Sequence, residues 1–167
     1  MSPVISCVIV ALIAVADQLI KRAVLASSLV QGENITVISD FLELEYVENT
    51  GAAFSLFEGK TQLLSVFSAL VLIGGIYMLF ARKIKSKVML VSVVMIMGGG
   101  LGNLIDRIVY HFVVDYIKVL FIDFPVFNFA DCFVTVGEFI LIGYLVRDIV
   151  QDFRNGNAQK VKVKSDE

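Results

Sequence analysis

The sequence predicts an all-α membrane protein with a small β element: four transmembrane helices plus a small extracytoplasmic β-sheet and an interfacial loop. Three observations predict it. Hydrophobic residues make up 57% of the 167, above the roughly 45–50% usual for soluble domains, and mean hydropathy is +0.83. Four apolar stretches approach the about 20 residues that a helix needs to cross a hydrocarbon core. Between the first two, FLELEYVE (41–48) alternates apolar and acidic residues, the period-two signature of a strand with one wet face.

The first span covers about residues 3–26. Cys7 lies within it, but no charged segment precedes that cysteine and Asp17 and Lys21 soon follow, so the stretch reads as a retained span rather than a cleaved leader. The loop 27–61 holds Glu33, Asp40, Glu43, Glu45, Glu48 and Glu58 against Lys60, a balance of −5. The second span, 62–81, is free of charge. The third, 88–108, begins after the basic run ARKIKSK, and its Gly98 and Gly102 form a small-xxx-small pair that lets helices pack closely. The loop 109–128 carries strand-like runs at VVDYIKVLFI and FPVFNF, where Pro125 limits any strand to an edge. The fourth span, 129–149, completes a single membrane-embedded domain of residues 1–152, leaving 153–167 as a cytoplasmic tail.

Orientation follows from short basic loops, which resist translocation. Arg82, Lys83, Lys85 and Lys87 stand together without an acid, and the tail carries Arg154, Lys160, Lys162 and Lys164. Both termini and the 82–87 loop are therefore expected in the cytoplasm, with the other two loops outside. A net charge of −2 provides no basic field for nucleic acid. Two cysteines, Cys7 and Cys132, assigned to opposite membrane faces, make a disulfide framework improbable.

The polar residues converge in depth. Asp17 and Lys21, four residues apart, share a helix face in the outer half of span one; a local ion pair that makes a charged helix insertable explains them equally well. Asn103, Asp106 and Arg107 stand at the outer end of span three, and Asp131 at the outer start of span four. Asp115, in the loop between, can reach the same level. A charge at mid-helix in a bilayer costs about 2.5 kcal/mol or more, so convergence indicates a site. In NTGAAF (49–54) the small residues suit a tight turn or a backbone contact with a ligand, and a plain hairpin turn explains them nearly as well. Two carboxylates at a partly dry site tend to share one proton. One can then deprotonate water while its protonated partner hydrogen-bonds a scissile carbonyl, and Asp115 and Asp131 are the candidate pair. The single histidine, His111, has no HExxH partner. Glu138, about two turns below Asp131 on the same face, is expected to pair with a neighbouring helix or to relay protons.

Five ordered blocks carry a resemblance: DQLIK (17–21), NTGAAFS (49–55), GGGLGNLIDRI (98–108), VVDYI (113–117) and FNFADCFVTVG (127–137). In these the chain resembles the bacterial lipoprotein signal peptidases, also called signal peptidase II. The resemblance implies an intramembrane aspartic endopeptidase of the bacterial cytoplasmic membrane that cuts prolipoproteins just before a diacylglyceryl-modified cysteine. It puts the catalytic aspartates at Asp115 and Asp131. It puts substrate-binding or supporting positions at Asp17, Lys21, Asn49, Gly51, Asn103, Asp106, Arg107 and Asn128. It further implies no cofactor and no metal, a lipid-modified prolipoprotein and membrane lipid as partners, and a site near the extracytoplasmic surface; a monomer is expected, although the sequence itself leaves the oligomeric state open. Cys132 and Glu138 are not part of the family's motif. An ion-coupled carrier, a metal-dependent lipid-phosphate hydrolase and a purely structural bundle are the competing readings of the same carboxylates.

Overall fold

A computed structural model describes residues 2–51, 59–84 and 86–165, with side chains as far as residue 155. Ala52, Ala53 and Phe54 of the NTGAAF segment and Lys85 of the basic loop lie outside the described residues. Among those described, four helices are long and apolar enough to cross a membrane: α1 (Pro3–Leu25), α2 (Thr61–Phe80), α3 (Lys87–Val109) and α4 (Phe129–Ser165), the last within its stretch Phe129–Asn155. The first three end within a residue or so of the expected spans. The fourth runs well beyond residue 149, because no proline follows and only Gly156 weakens the helical run.

Local chemistry explains where the helices start. The Ser2 hydroxyl accepts from the Ile5 N–H at 3.3 Å, and Pro3 occupies the first turn, where its missing N–H would have no partner anyway. Ser86 caps α3 by accepting from the Met89 N–H at 3.5 Å.

The helices are built inside out relative to soluble ones. In α1 the buried stripe is Ser6, Val10, Ala14, Asp17, Lys21 and Val24, at helical spacing, whereas Val4, Val8, Leu12, Val15 and Leu19 face outward. Helix α3 is central and packs on the other three. Its glycines permit this: a Cβ on Gly98 would come within 2.8 Å of Ile13 in α1, and one on Gly99 would strike the Ala130 carbonyl oxygen in α4. Gly98 and Gly102 both face α1, so the small-xxx-small pair marks a real helix contact. Val10, Leu72, Val93, Val94 and Met97 form the apolar core between α1, α2 and α3.

At the end of the bundle where α1 and α3 finish and α4 begins lies a three-stranded antiparallel sheet in the order β1 (Ile35–Ile38), β2 (Leu42–Asn49) and β3 (Val113–Val119). Both loops thus contribute to one sheet. Phe127 adds only an isolated bridge to Ile117, as expected beside Pro125. The alternation in β2 does not yield one fully wet face. Residues 42–47 are all half-buried, because β1 and β3 flank the strand and Lys118 spans Glu43, at 3.8 Å, and Glu45. In β3, alternate residues diverge: Val114 and Tyr116 pack with Val24 and Leu29 under the sheet, and Val113 and Asp115 line a cavity.

Charge is sealed where these elements meet. Lys21, 1% exposed, sits 2.9 Å from Asp17 and 2.8 Å from Asp106, both with no exposure, and donates to Asn103 Oδ1 at 2.8 Å. Those contacts use all three ammonium donors. The remaining acceptor positions are also filled. Asp17 Oδ1 accepts from the Ala130 N–H of α4 at 3.1 Å, Asp106 Oδ2 from the Val114 N–H of β3 at 3.0 Å, and Asp106 Oδ1 from Gln18 Nε2 at 2.7 Å. The local pair expected between Asp17 and Lys21 does form, as one edge of a network joining α1, α3, β3 and α4.

Removing one partner of a buried ion pair typically costs about 3–5 kcal/mol. Lys21→Met is therefore expected to lower stability by roughly that amount in detergent denaturation, whereas Arg22→Met, at an exposed neighbouring position, should change it by about 0.5 kcal/mol or less. Adjacent glycines offer a second check. Gly99→Ala should destabilise by about 1–3 kcal/mol through overpacking. Gly100→Ala, with nothing within 4 Å of the new Cβ, should be neutral or slightly stabilising in the same assay.

Candidate active site

Asp131 lies in the first turn of α4, and its orientation comes from a reciprocal cap. Asn128 Oδ1 accepts from the Asp131 N–H at 2.9 Å while Asp131 Oδ2 accepts from the Asn128 N–H at 3.0 Å, the capping-box pattern with Asp in place of Glu. The other carboxylate oxygen accepts from Asn103 Nδ2 at 2.7 Å. Asp115 is 1% exposed on β3. Its Oδ1 accepts from Asn128 Nδ2 at 2.6 Å and its Oδ2 from Asn49 Nδ2, at the end of β2, at 2.8 Å. Strand register sets up the second bond, since Asn49 stands opposite Val113, two residues from Asp115.

Asn128 thus touches both carboxyl groups, and its Nδ2 also donates to Asn103 Oδ1 at 3.1 Å, the oxygen that receives Lys21. The pair is tied to the buried charge cluster through neutral amides. Burial, and then the negative charge of Asp131, push the Asp115 carboxyl up to about 7; the Asn49 and Asn128 hydrogen bonds oppose the rise without cancelling it.

Both aspartates line a cavity of about 800 Å³, together with Asn49, Gly51, Asn103 and Arg107. Arg107 Nη2 donates to the Gly51 carbonyl at 3.2 Å, and the Gly51 N–H donates to Asn49 Oδ1 at 2.9 Å, so this glycine is a link in the wall. Arg107 Nε is buried with no partner among the described residues.

Every expected site residue belongs to this connected region: Asp17, Lys21 and Asp106 in the charge cluster, Asn103 and Asn128 as bridges, and Asn49, Gly51, Arg107, Asp115 and Asp131 on the cavity wall. Two contributors escaped the sequence reading. Gln18 holds Asp106 and the Gly102 carbonyl, and the Tyr116 hydroxyl accepts from the Phe129 N–H at 3.2 Å as α4 begins. Both stand inside quoted blocks, DQLIK and VVDYI, and a polar side chain at membrane depth was the available signal for Gln18. His111 is exposed on the turn after α3, with φ 67°, and does not line the cavity. The helix partner expected for Glu138 is not present among the described residues; its side chain is exposed on α4 and borders the cavity.

This arrangement supplies two oriented carboxyl groups at the mouth of an apolar bundle, one with a proton affinity near neutrality. That is the equipment for general acid–base attack of water on a carbonyl. Residues 9–147 match the family described as Signal peptidase (SPase) II. The chain is 42% identical over 120 residues to the lipoprotein signal peptidase of Clostridium novyi (strain NT), covering 70% of this chain and 81% of that one. It is 38% identical over 150 residues to that of Streptococcus pneumoniae (strain ATCC BAA-255 / R6), covering 90% and 95%. Its backbone also superposes on a bacterial membrane enzyme solved by the in meso method at 2.3 Å resolution, with TM-score 0.78 and 31% identity over 86% of this chain and 88% of that one. A family match across most of the sequence, joined to near full-length relatives and a common backbone, establishes that the chain belongs to the signal peptidase II family.

Proposed function

We propose that Asp115 and Asp131 are the catalytic pair with which this membrane aspartic endopeptidase removes the signal peptide from lipid-modified prolipoproteins. Family membership makes the chain a prolipoprotein-processing protease. The observation that carries the residue assignment is the bridging of both carboxyl groups by one side chain, Asn128, on the wall of a shared cavity. In this reading Asp115 holds the shared proton and donates a hydrogen bond to the scissile carbonyl, and Asp131 takes a proton from the attacking water. The water oxygen bonds to the carbonyl carbon, the tetrahedral intermediate collapses, and the amine departs with a proton from the pair. Arg107 and Gly51 shape the wall against which the peptide lies.

The supporting residues divide by what they touch. Asn49, Asn103 and Asn128 orient the carboxyl groups, and Asp17, Lys21 and Asp106 hold α1, α3 and α4 together behind them. Arg82, Lys83 and Lys87 at the α2–α3 connection favour a cytoplasmic location for that turn and for both termini. The sheet and the aspartates then face the extracytoplasmic surface, where a lipid-tethered peptide bond is presented just before its modified cysteine. Residues 1–152 act as one peptidase domain, as a monomer and without a cofactor, and 153–167 follow on the cytoplasmic side.

Purified enzyme in detergent, given a diacylglyceryl-modified prolipoprotein in the presence of chelator, should convert it to the shorter form in a gel-shift assay. Asp115→Asn and Asp131→Asn should each lower the rate roughly a hundred- to ten-thousand-fold while leaving insertion and melting largely intact. Near-normal processing by either variant would refute the assignment, and cleavage abolished by chelator would favour a metal-dependent hydrolase. The pH profile gives an independent check. Because the folded Asp115 carboxyl is raised from 3.8 to about 7, its proton is retained below about 7 and lost above it. Processing rates should therefore fall as pH rises through about 7, and the stability that this group contributes should decline over the same rise from about 4.

A further inference from the structure

The cavity wall does not stop at the aspartates. It continues down α4 through Val134 and Thr135 to Glu138, seven residues and so about 10.5 Å along the axis from Asp131, at a rotation that returns to nearly the same face. The packing beside it explains the direction. Gly137 is buried against α3, where an added Cβ would meet Ile96 at 2.9 Å, which turns its neighbour Glu138 outward. Glu138 lies within the span Phe129–Asn155, and among the described residues it has neither a hydrogen-bond nor an ionic partner. A carboxyl group at such depth is costly and as a rule marks a substrate path. Its neighbours on the outer surface, Val136, Phe139 and Ile142, are apolar and exposed, so the surface around it is suited to an apolar helix or extended chain and not to water.

We propose that Glu138 is a specificity-determining residue that hydrogen-bonds a donor side chain, such as serine or threonine, in the signal segment of the substrate as that segment lies along α4. This rests on the peptidase reading above. The occupant follows from geometry: a chain whose scissile bond is held at Asp115 and Asp131 must lead away from them, and the cavity leads to Glu138. A segment running antiparallel to α4 would bring to this depth its residue about seven positions before the scissile bond if helical, at 1.5 Å per residue, or about three positions before it if extended, at 3.3 Å per residue. Elsewhere the wall beside α4 accepts aliphatic side chains.

The test is a set of lipid-modified synthetic prolipoprotein peptides with a polyleucine signal segment in which one serine is moved from two to ten positions before the modified cysteine. Each is compared with the all-leucine parent as a ratio of kcat/KM within one enzyme. Wild type should prefer serine at one position between three and seven by about three- to tenfold, the range of interhelical hydrogen bonds in membranes. Glu138→Leu should bring that ratio to about one, and Glu138→Gln should retain the peak at the same position. A flat profile in wild type, or an unchanged peak in Glu138→Leu, would overturn the proposal while leaving the peptidase reading intact. Failure of wild type to cut any of the peptides would overturn both.

Discussion

The ammonium group of Lys21 is the constraint around which this protein is organised. A lone cation in the interior of a helical bundle would be untenable, and so would either of the two carboxylates beside it. Brought together, they require α1 to present Asp17 and Lys21 on one face, α3 to present Asn103 and Asp106 opposite, and the starts of β3 and α4 to bring backbone N–H groups to the spare oxygens. Four elements from distant parts of the sequence are thereby fixed relative to one another. Lipid-facing contacts cannot do this, because apolar side chains gain little by leaving lipid for another apolar helix.

The charge cluster and the pair of aspartates are adjacent but are joined through neutral groups. Asn103 and Asn128 stand between them, each donating to a carboxyl group, and the oxygen of Asn103 accepts from both Lys21 and Asn128. This separation has a chemical consequence. A direct cation contact would hold both aspartates ionised, whereas amide donors orient them and leave burial and mutual repulsion to raise Asp115 toward neutrality. The scaffold charge is thus kept apart from the chemistry it positions. The same division lets the sheet serve two purposes, with Tyr116 and Val114 packing beneath it and Asp115 turned into the cavity.

Much of this was legible in the sequence, for reasons that differ by residue. The spans were legible because hydrocarbon thickness dictates a length, and Pro3, Ser86 and the basic connection mark their ends. Asp17, Asp106 and Asp131 stood out because charge is rare at such depth. Asp115 carried a weaker signal: it lies in a strand-like run that could have been a surface edge, but its place in the loop between spans three and four let it reach the depth of Asp131, and the ordered blocks reinforced that pairing. Asn128 depended on its block alone. The half-buried state of β2 was not legible, since an alternating strand does not disclose that a lysine from another strand will cover its acids. Nor was the length of α4, because the end of an apolar stretch is not the end of a helix.

What the sequence by itself determined is a membrane bundle with four apolar spans, a sheet-forming segment between the first two, polar groups concentrated at one depth, and the motifs of the signal peptidase II family. Hydropathy, periodicity and residue order are properties of the chain alone, so they survive without coordinates. What only the tertiary structure decided is which polar group meets which: that Lys21 contacts Asp106 as well as Asp17, that Asn128 reaches both aspartates, and that Glu138 borders the cavity with no partner among the described residues. Hydrogen bonds and ion pairs depend on distances of about 3 Å and on direction. Those are set by how close α3 can come to its neighbours, which Gly98, Gly99 and Gly102 permit but whose outcome no linear pattern records.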